Sequence, residues 1–375
     1  MTNDAMESMK ITANERMILD IVRRSKGLAR SAITGQTNLT QQSVHRIVDR
    51  LLELEYLQLG DSVVQGRGQP SRAVNLAPNA FFSIGVSLNT DVMLVCLVNF
   101  NGEILVQESI PFAPVNRQET QTWLRALVIK WQQEYPFIEG RIIGLGFAMT
   151  GYFVKQKGHI RPPDPLSDWA GIDLEHELNH LLNMPVILLN NATTGAIGEA
   201  FHGAGLTYQT FGYLSFDFGF GGGIVIDGEP FFGAFGNAGE IGRIYTSDEI
   251  PKRPALAILL EMLASNGIYV PSVARLNDDF DSDWPVVAEW IQLTTPHLLR
   301  AINALRSVID PSAIVLGGQI PKPLARMLLA ALEQQGVKSP QDISVWPKVM
   351  VSELKDDSAV LGAALQPLRN MFFRK

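Results

Sequence analysis

The chain has 375 residues, 46% of them hydrophobic and 18% charged, with a single cysteine and a net charge of −7. Disorder as the main state, an internal disulfide and a cysteine-cluster metal site are thereby excluded, and the length suits two or three domains rather than one. The lone Cys96 fits a reducing, cytosolic compartment, no run reaches the roughly 18 apolar residues of a membrane span, and Asp4, Glu7, Lys10, Glu15, Arg16 and Asp20 leave no signal-peptide apolar region.

Taken whole, the negative charge argues against a nucleic-acid binder. The sign is not uniform, however: residues 1–80 hold ten Lys and Arg against eight Asp and Glu, a net of +2, and the remainder carries −9. Along this basic segment, Asn14 to Arg24 places Met17, Ile18, Ile21 and Val22 on one face of an amphipathic helix. Ser31 is expected to cap a short second helix by its hydroxyl, and Asn38-Leu39 makes a turn. Thr40 is a good N-cap for a third helix, in which Val44, Ile47, Val48, Leu51 and Leu52 form one buried stripe. The opposite face shows Gln41, Gln42, Ser43, His45, Arg46, Asp49 and Arg50. Two strand-like pieces around a Gly66–Arg72 tip complete the pattern of a winged helix-turn-helix.

Helices, turn and basic tip in this order point to DNA. Glutamine can pair bidentately with adenine and arginine with guanine in the major groove. The DNA-contacting set is therefore Thr40, Gln41, Gln42, Ser43, His45, Arg46 and Arg50 on the third helix. Arg67 and Arg72 on the wing would reach phosphate or the minor groove. A helical protein–protein module with a solvated polar face is the alternative reading of the same residues.

Beyond residue 80, Phe81–Leu88, Val92–Val98 and Ile104–Ser109 predict a three-strand meander, its second turn marked by Asn101-Gly102. An amphipathic helix over Arg117–Glu134 and a strand over Ile142–Phe147 follow. The order recurs: a strand over Tyr213–Phe218, a glycine-rich turn over Gly219–Gly223, a strand over Gly223–Ile226, an Asp227-Gly228 hairpin signal and Pro230–Phe232 beyond it. Helices are expected at Leu256–Ala264, Val286–Leu293, Pro296–Val308 and Leu324–Gln334, with a strand at Ala313–Leu316. Two copies of one meander-plus-helix unit imply a duplicated α/β body with its ligand cleft between the copies.

Two local patterns invite other chemistry. His176-Glu177-Leu178-Asn179-His180 fits the HExxH zinc-protease spacing, but no third ligand is evident, and Ile172, Leu174, Leu178, Leu181 and Leu182 read as the inward face of an ordinary helix. Arg161 to Trp169 is a proline-stiffened polar loop, either a cleft edge or a rigid surface connection.

Six stretches carry a family resemblance. They are Ile142-Ile-Gly-Leu-Gly-Phe-Ala-Met-Thr-Gly151, Pro185-Val-Ile-Leu-Leu-Asn-Asn-Ala192 with Gly198-Glu199, Gly219-Phe-Gly-Gly-Gly-Ile-Val225, Gly236-Asn-Ala-Gly-Glu-Ile-Gly-Arg243, Ile309-Asp-Pro-Ser-Ala-Ile-Val-Leu-Gly-Gly318 and Leu361-Gly-Ala-Ala364. In this order and spacing the chain resembles the ROK family of sugar-responsive repressors and sugar kinases. With its N-terminal segment it resembles the repressor branch over its whole length. The resemblance implies a winged helix-turn-helix over residues 1–80 and a duplicated actin-like, RNase H-like body. One lobe spans residues 81–190, with 360–375 returning to it, and the other spans 191–359.

The departures from the family's kinases bear on chemistry. Asn191 stands where the resemblance places the kinases' general-base Asp, and an amide is a poor base near neutral pH. Ser87, Leu88, Asn89 and Thr90 stand where the kinases carry an acid and a Gly-Gly-Thr phosphate turn, while the second glycine turn, with Gly219, Gly221 and Gly222, survives. Arg243 replaces the His that precedes the family's zinc-binding cysteines, and no cysteine follows. No zinc and no ATP are therefore expected.

What the resemblance leaves is a sugar-contacting set of Asn190, Asn191 and Glu240, with Arg243 in place of a sugar-contacting His and Glu261 matching a further Glu. Arg243 would either favour an anionic effector or pair with Glu240 or Glu199. The expected protein is a cytoplasmic, sugar-responsive transcriptional regulator that binds operator DNA as a homodimer, a higher oligomer being open, with no catalytic residue and no membrane partner. The alternatives are an ATP-dependent sugar kinase that kept a DNA-binding head, and a sugar sensor that binds another protein.

Overall fold

In the computed structural model, which describes residues 11–25, 27–63, 71–154, 158–334, 345–355 and 357–373, three helices and a two-stranded wing form the head. Helix α1 (Ala13–Ser25) buries Ile18, Leu19 and Val22, with Met17 and Ile21 half-buried at the margin of the predicted face. Helix α2 (Arg30–Gly35) starts one residue before the predicted hydroxyl cap. Ala29 is its N-cap, and no side chain caps it. Helix α3 (Gln41–Glu53) is capped as expected: Thr40 Oγ1 accepts from the Ser43 N–H at 3.2 Å. Its stripe of Val44, Val48 and Leu51 is fully buried. Strands β1 (Leu57–Val63) and β2 (Ser71–Leu76) pair antiparallel, and Leu28 bridges to Val74 as a third short strand.

The body repeats one sheet twice. In the first lobe, β3 (Phe82–Leu88), β4 (Met93–Asn99) and β5 (Ile104–Ser109) form the meander. Helix α4 (Arg117–Glu134) leads to β6 (Ile142–Met149) beside β3; the short pair β7 (Tyr152–Phe153) and β8 (Ile160–Arg161) and helix α5 (Leu174–Leu182) lead to β9 (Val186–Asn190), giving the order β5-β4-β3-β6-β9. Helix α6 (Asn191–His202) crosses to the second lobe. There β10 (Phe211–Phe216), β11 (Phe220–Ile226) and β12 (Glu229–Pro230) form the meander. Helices α7 (Leu256–Ser265), α8 (Val273–Asp279) and α9 (Pro285–Ile309) come before β13 (Ala313–Gly318), and α10 (Lys322–Gln334) before β14 (Lys348–Val351). The order is β12-β11-β10-β13-β14, with the same three antiparallel and two parallel strands as in the first lobe. The fold is the expected duplicated, actin-like α/β body behind a helical head.

Helix α11 (Ser358–Phe372) returns to the first lobe and lies across β3, β6 and α6 at backbone contact. Glycines permit this. A Cβ on Gly85 would sit 2.2 Å from the Val360 carbonyl, one on Gly146 2.0 Å from that of Ala363, and one on Gly362 1.8 Å from that of Thr194.

Two expectations fail locally. The run Gly219–Gly223 is mostly strand: β11 begins at Phe220 and the turn is Asp217-Phe218-Gly219, because Gly221, Gly222 and Gly223 pair with Ser215, Leu214 and Tyr213. The two helices predicted around Pro296 are one, α9. Proline removes one backbone donor, and the preceding turn is braced by hydroxyls: Thr294 donates to the Trp290 carbonyl at 2.8 Å and Thr295 to that of Ile291 at 2.6 Å.

Head and body share one core. Ile18, Leu19, Val22, Val44, Val48 and Leu51 join Phe81, Phe100, Phe201, Leu368, Phe372 and Phe373 in a single buried cluster. The seam is aromatic: Tyr56 meets Phe81 at 5.0 Å between ring centroids, and Phe81 meets Phe372 at 4.3 Å. The Arg23 guanidinium lies 3.7 Å over the Phe201 ring and pairs with Asp20 at 2.8 Å.

Candidate effector cleft and nucleic-acid interface

Strand β9 ends, and α6 begins, at the cleft. Asn190 caps α6 by accepting from the Ala192 and Thr193 N–H groups at 2.8 and 3.2 Å. Its amide donates to the Gly151 carbonyl at 2.5 Å and to Glu240 Oε1 at 3.2 Å, which ties the two lobes together. Asn191 donates to the Leu88 carbonyl, to Asn89 Oδ1 at 2.7 Å and to Thr150 Oγ1 at 2.9 Å. Its own Oδ1 is buried without a partner. These residues border a cleft of about 260 Å³ closed by Thr150–Tyr152 and Arg161–Pro163 on one side and by Asp217–Gly221, Glu240 and Arg253 on the other.

The structure therefore brings together Asn190, Asn191 and Glu240 of the predicted sugar set. Arg243 stands exposed at the rim with its guanidinium 4.3 Å over the Tyr152 ring, and Tyr152 lines the cleft. Glu261 does not join them: it is exposed on α7, outside the lining residues, because α7 already begins at Leu256 and turns this position to solvent. The loop of Arg161, Pro162 and Pro163 is a cleft wall, anchored by the buried Leu166 and Trp169 that follow it. Sequence reasoning missed Asp217 and Arg253, which belong to no motif and are identified only by what they line.

Ser87, Asn89 and Thr90 are all buried. The Asn89 N–H donates to the Val92 carbonyl at 2.9 Å, so the segment closes as a tight hairpin whose amide side chain engages Asn191 and Thr150. Gly219 and Gly221 line the cleft, and Gly222 lies behind them against the Gly239 carbonyl. Asp217 stands at the glycine turn and lines the same cleft.

Burial pushes the Asp217 carboxyl up to about 6. Asp357 and Asp91 reinforce the shift, and hydrogen bonds from the Ser215 hydroxyl and the Gln319 N–H oppose it. Burial likewise raises Glu240, against the pull of Arg243. For Asp217 the folded value lies above the ordinary 3.8, so between those pH values the folded state holds a proton that the unfolded state has lost. The ionised group costs stability above pH 6, and the cost is relieved as pH falls toward 3.8. Asp217→Asn should accordingly raise the melting temperature at pH 7.5 and keep only part of that advantage at pH 5; a difference that does not change with pH would contradict the assignment.

On the head, Gln41, Gln42 and Arg46 are exposed on α3, with Ser43 and His45 half-buried beside them. Thr40 and Ser43 are spent on the cap, the Thr40 hydroxyl donating to Ser43 Oγ at 2.9 Å. Arg50 forms an ion pair with Glu15 at 3.2 Å, and Arg72 donates to the Leu59 and Gly60 carbonyls, both at 3.1 Å. These two guanidiniums are thus held by the protein. Arg67 lies outside the described residues. His176 and His180 are exposed on α5, Glu177 is engaged by Arg117 and Gln121, and among the described residues no three His, Cys, Asp or Glu are grouped to hold a metal. Among the described residues, no helix is long and apolar enough to cross a membrane.

Comparison with known proteins places this geometry. Residues 83–255 match the model of the ROK family. A xylose repressor of Caldicellulosiruptor bescii is 28% identical over 235 residues, 61% of this chain and 57% of that protein. A ROK family transcriptional regulator, homologous to the Escherichia coli MLC protein, superposes with a TM-score of 0.68 at 18% identity, over 96% of this chain and 95% of that one. A ROK glucokinase from Streptomyces griseus, solved with glucose and AMPPNP, gives 0.61 at 20% identity over 76% of this chain and 98% of its own.

Proposed function

We propose, from the match of residues 83–255 to the ROK family model, that the chain is a sugar-responsive transcriptional repressor of that family. It binds operator DNA through α3 and the wing, and a sugar or sugar derivative in the cleft between the lobes. One observation carries the reading: α6 begins with Asn191 in the cleft and ends with Phe201 under the Arg23 of the head. Its 12 residues span about 18 Å as one rigid element. A ligand that bonds Asn191 or shifts Glu240 against Asn190 moves the start of this helix, and its other end is packed on the DNA-binding unit.

The exposed Gln41, Gln42 and Arg46 supply base contacts, and two heads in a homodimer read two half-sites one helical turn apart. The acidic body is repelled by phosphate and held off the duplex. Operator binding places the protein in the cytoplasm. The resemblance to a xylose repressor supports a sugar as effector.

The reading includes no phosphoryl transfer. Asn191 cannot take the sugar hydroxyl's proton at neutral pH, and the segment at Ser87–Thr90 is filled by its own side chains. In vitro selection of bound DNA with the full-length protein should return one sequence class with half-site symmetry, and a coupled ATP assay over a sugar panel should show no turnover. Turnover abolished by changing Asn191 would establish the kinase instead.

A further inference from the structure

We infer that the effector carries an anionic group, and that the Arg253 guanidinium receives it inside the cleft. The inference rests on the reading of this cleft as the effector site.

Three of the buried or half-buried arginines are paired with carboxylates. Arg23 is matched by Asp20, Arg369 by Glu229 and Arg117 by Glu177. Arg253 has no such carboxylate partner among the described residues. It is half-buried, it lines the cleft, and its Nε is fully buried with no hydrogen-bond partner. Burial holds its guanidinium below the usual arginine range, opposed only by the Tyr245 phenol, whose hydroxyl is spent on the His297 carbonyl. A half-buried guanidinium with no carboxylate partner is ready to meet an anion, and a charge-assisted, bidentate contact is the geometry this side chain offers.

The cleft also holds an opposite open group. Asn191 Oδ1 is a buried acceptor without a donor. The two carboxylates in the wall are already served: Asp217 by the Ser215 hydroxyl and the Gln319 N–H, Glu240 by the Asn190 amide. An open acceptor for a hydroxyl and an open cation for an anion, in a cleft of about 260 Å³, describe a polyhydroxylated ring with one acidic substituent. A sugar carboxylate and a sugar phosphate share that chemistry.

The test is calorimetric titration of the full-length protein with D-glucose, D-xylose, D-glucuronate and D-glucose 6-phosphate, on wild type, R253Q and R253K. At least one anion should bind roughly tenfold or more tightly than the neutral sugars. The winning anion separates carboxylate from phosphate. R253Q should bring its affinity down to that of the neutral sugars, and R253K should keep part of the preference, which also guards against R253Q failing to fold. Equal binding of neutral and anionic ligands, or a preference that survives R253Q, overturns the inference alone. Binding of no member of the panel overturns the effector-site reading and the inference with it.

Discussion

Replacing Gly362 by valine should unfold the body at temperatures the native protein withstands. Gly362 lies on α11 where that helix crosses α6, and even a methyl group there would meet the Thr194 carbonyl oxygen at 1.8 Å and the Gly198 nitrogen at 2.8 Å. Both are backbone atoms of a helix whose residues 191–201 are all buried, so no side chain can swing aside. The helices must separate, and α11 also carries Phe372 in the aromatic seam with the head. Overpacking of this kind costs about 3 kcal/mol or more, which lowers the melting temperature of a protein this size by roughly 4 °C or more. Thermal denaturation followed by circular dichroism checks it, Gly362→Ala acting in the same direction. An unchanged melting temperature would mean that α6 and α11 do not touch as described.

The second large effect is on DNA. Changing Gln42 and Arg46 together to alanine should weaken operator binding by roughly a hundredfold or more, since a good bidentate base contact is worth about 1–3 kcal/mol. Both side chains are exposed on α3, away from its buried stripe, so the melting temperature should stay where it is. Arg50→Ala should cost less affinity and some stability, because that guanidinium already pairs with the buried Glu15. Fluorescence anisotropy on the selected operator distinguishes the two variants. Full affinity in the Gln42/Arg46 double variant would remove α3 from the interface.

The periodicity of α3 and the hairpin signals of both meanders were legible because each is set by residues a few positions apart. Asn101-Gly102 and Asp227-Gly228 define their turns without help from the rest of the chain. The continuity of α9 through Pro296 was not, since it depends on how the hydroxyls of Thr294 and Thr295 brace one helical turn. The run at Gly219–Gly223 misled for a related reason: glycine is read as turn, but here it lets β11 lie close to α6, where a Cβ on Gly223 would come within 2.7 Å of the Ala192 carbonyl.

The cleft divides in the same way. Asn190, Asn191 and Glu240 stand in stretches that resemble the family, and the structure gathers them. Arg253 and Asp217 carry no pattern at all. Their importance comes from what surrounds them, the lack of a carboxylate partner in one case and a place in the cleft wall in the other. The seam between head and body was equally hidden, because it joins Tyr56 and Phe81 to Phe372 across almost the whole chain.

That seam makes the account more specific than a tethered head beside a sensor. If Asn191 and Arg23 sit at the two ends of one buried helix, occupancy of the cleft and affinity for DNA are linked, and each must alter the other by the same factor. The direct measurement is the operator dissociation constant of the full-length protein by anisotropy, with and without the saturating sugar ligand that the calorimetry identifies. The account predicts a change of about fivefold or more, mirrored in the affinity for the sugar when operator is present. Identical operator affinity in the free and the sugar-saturated protein would contradict it.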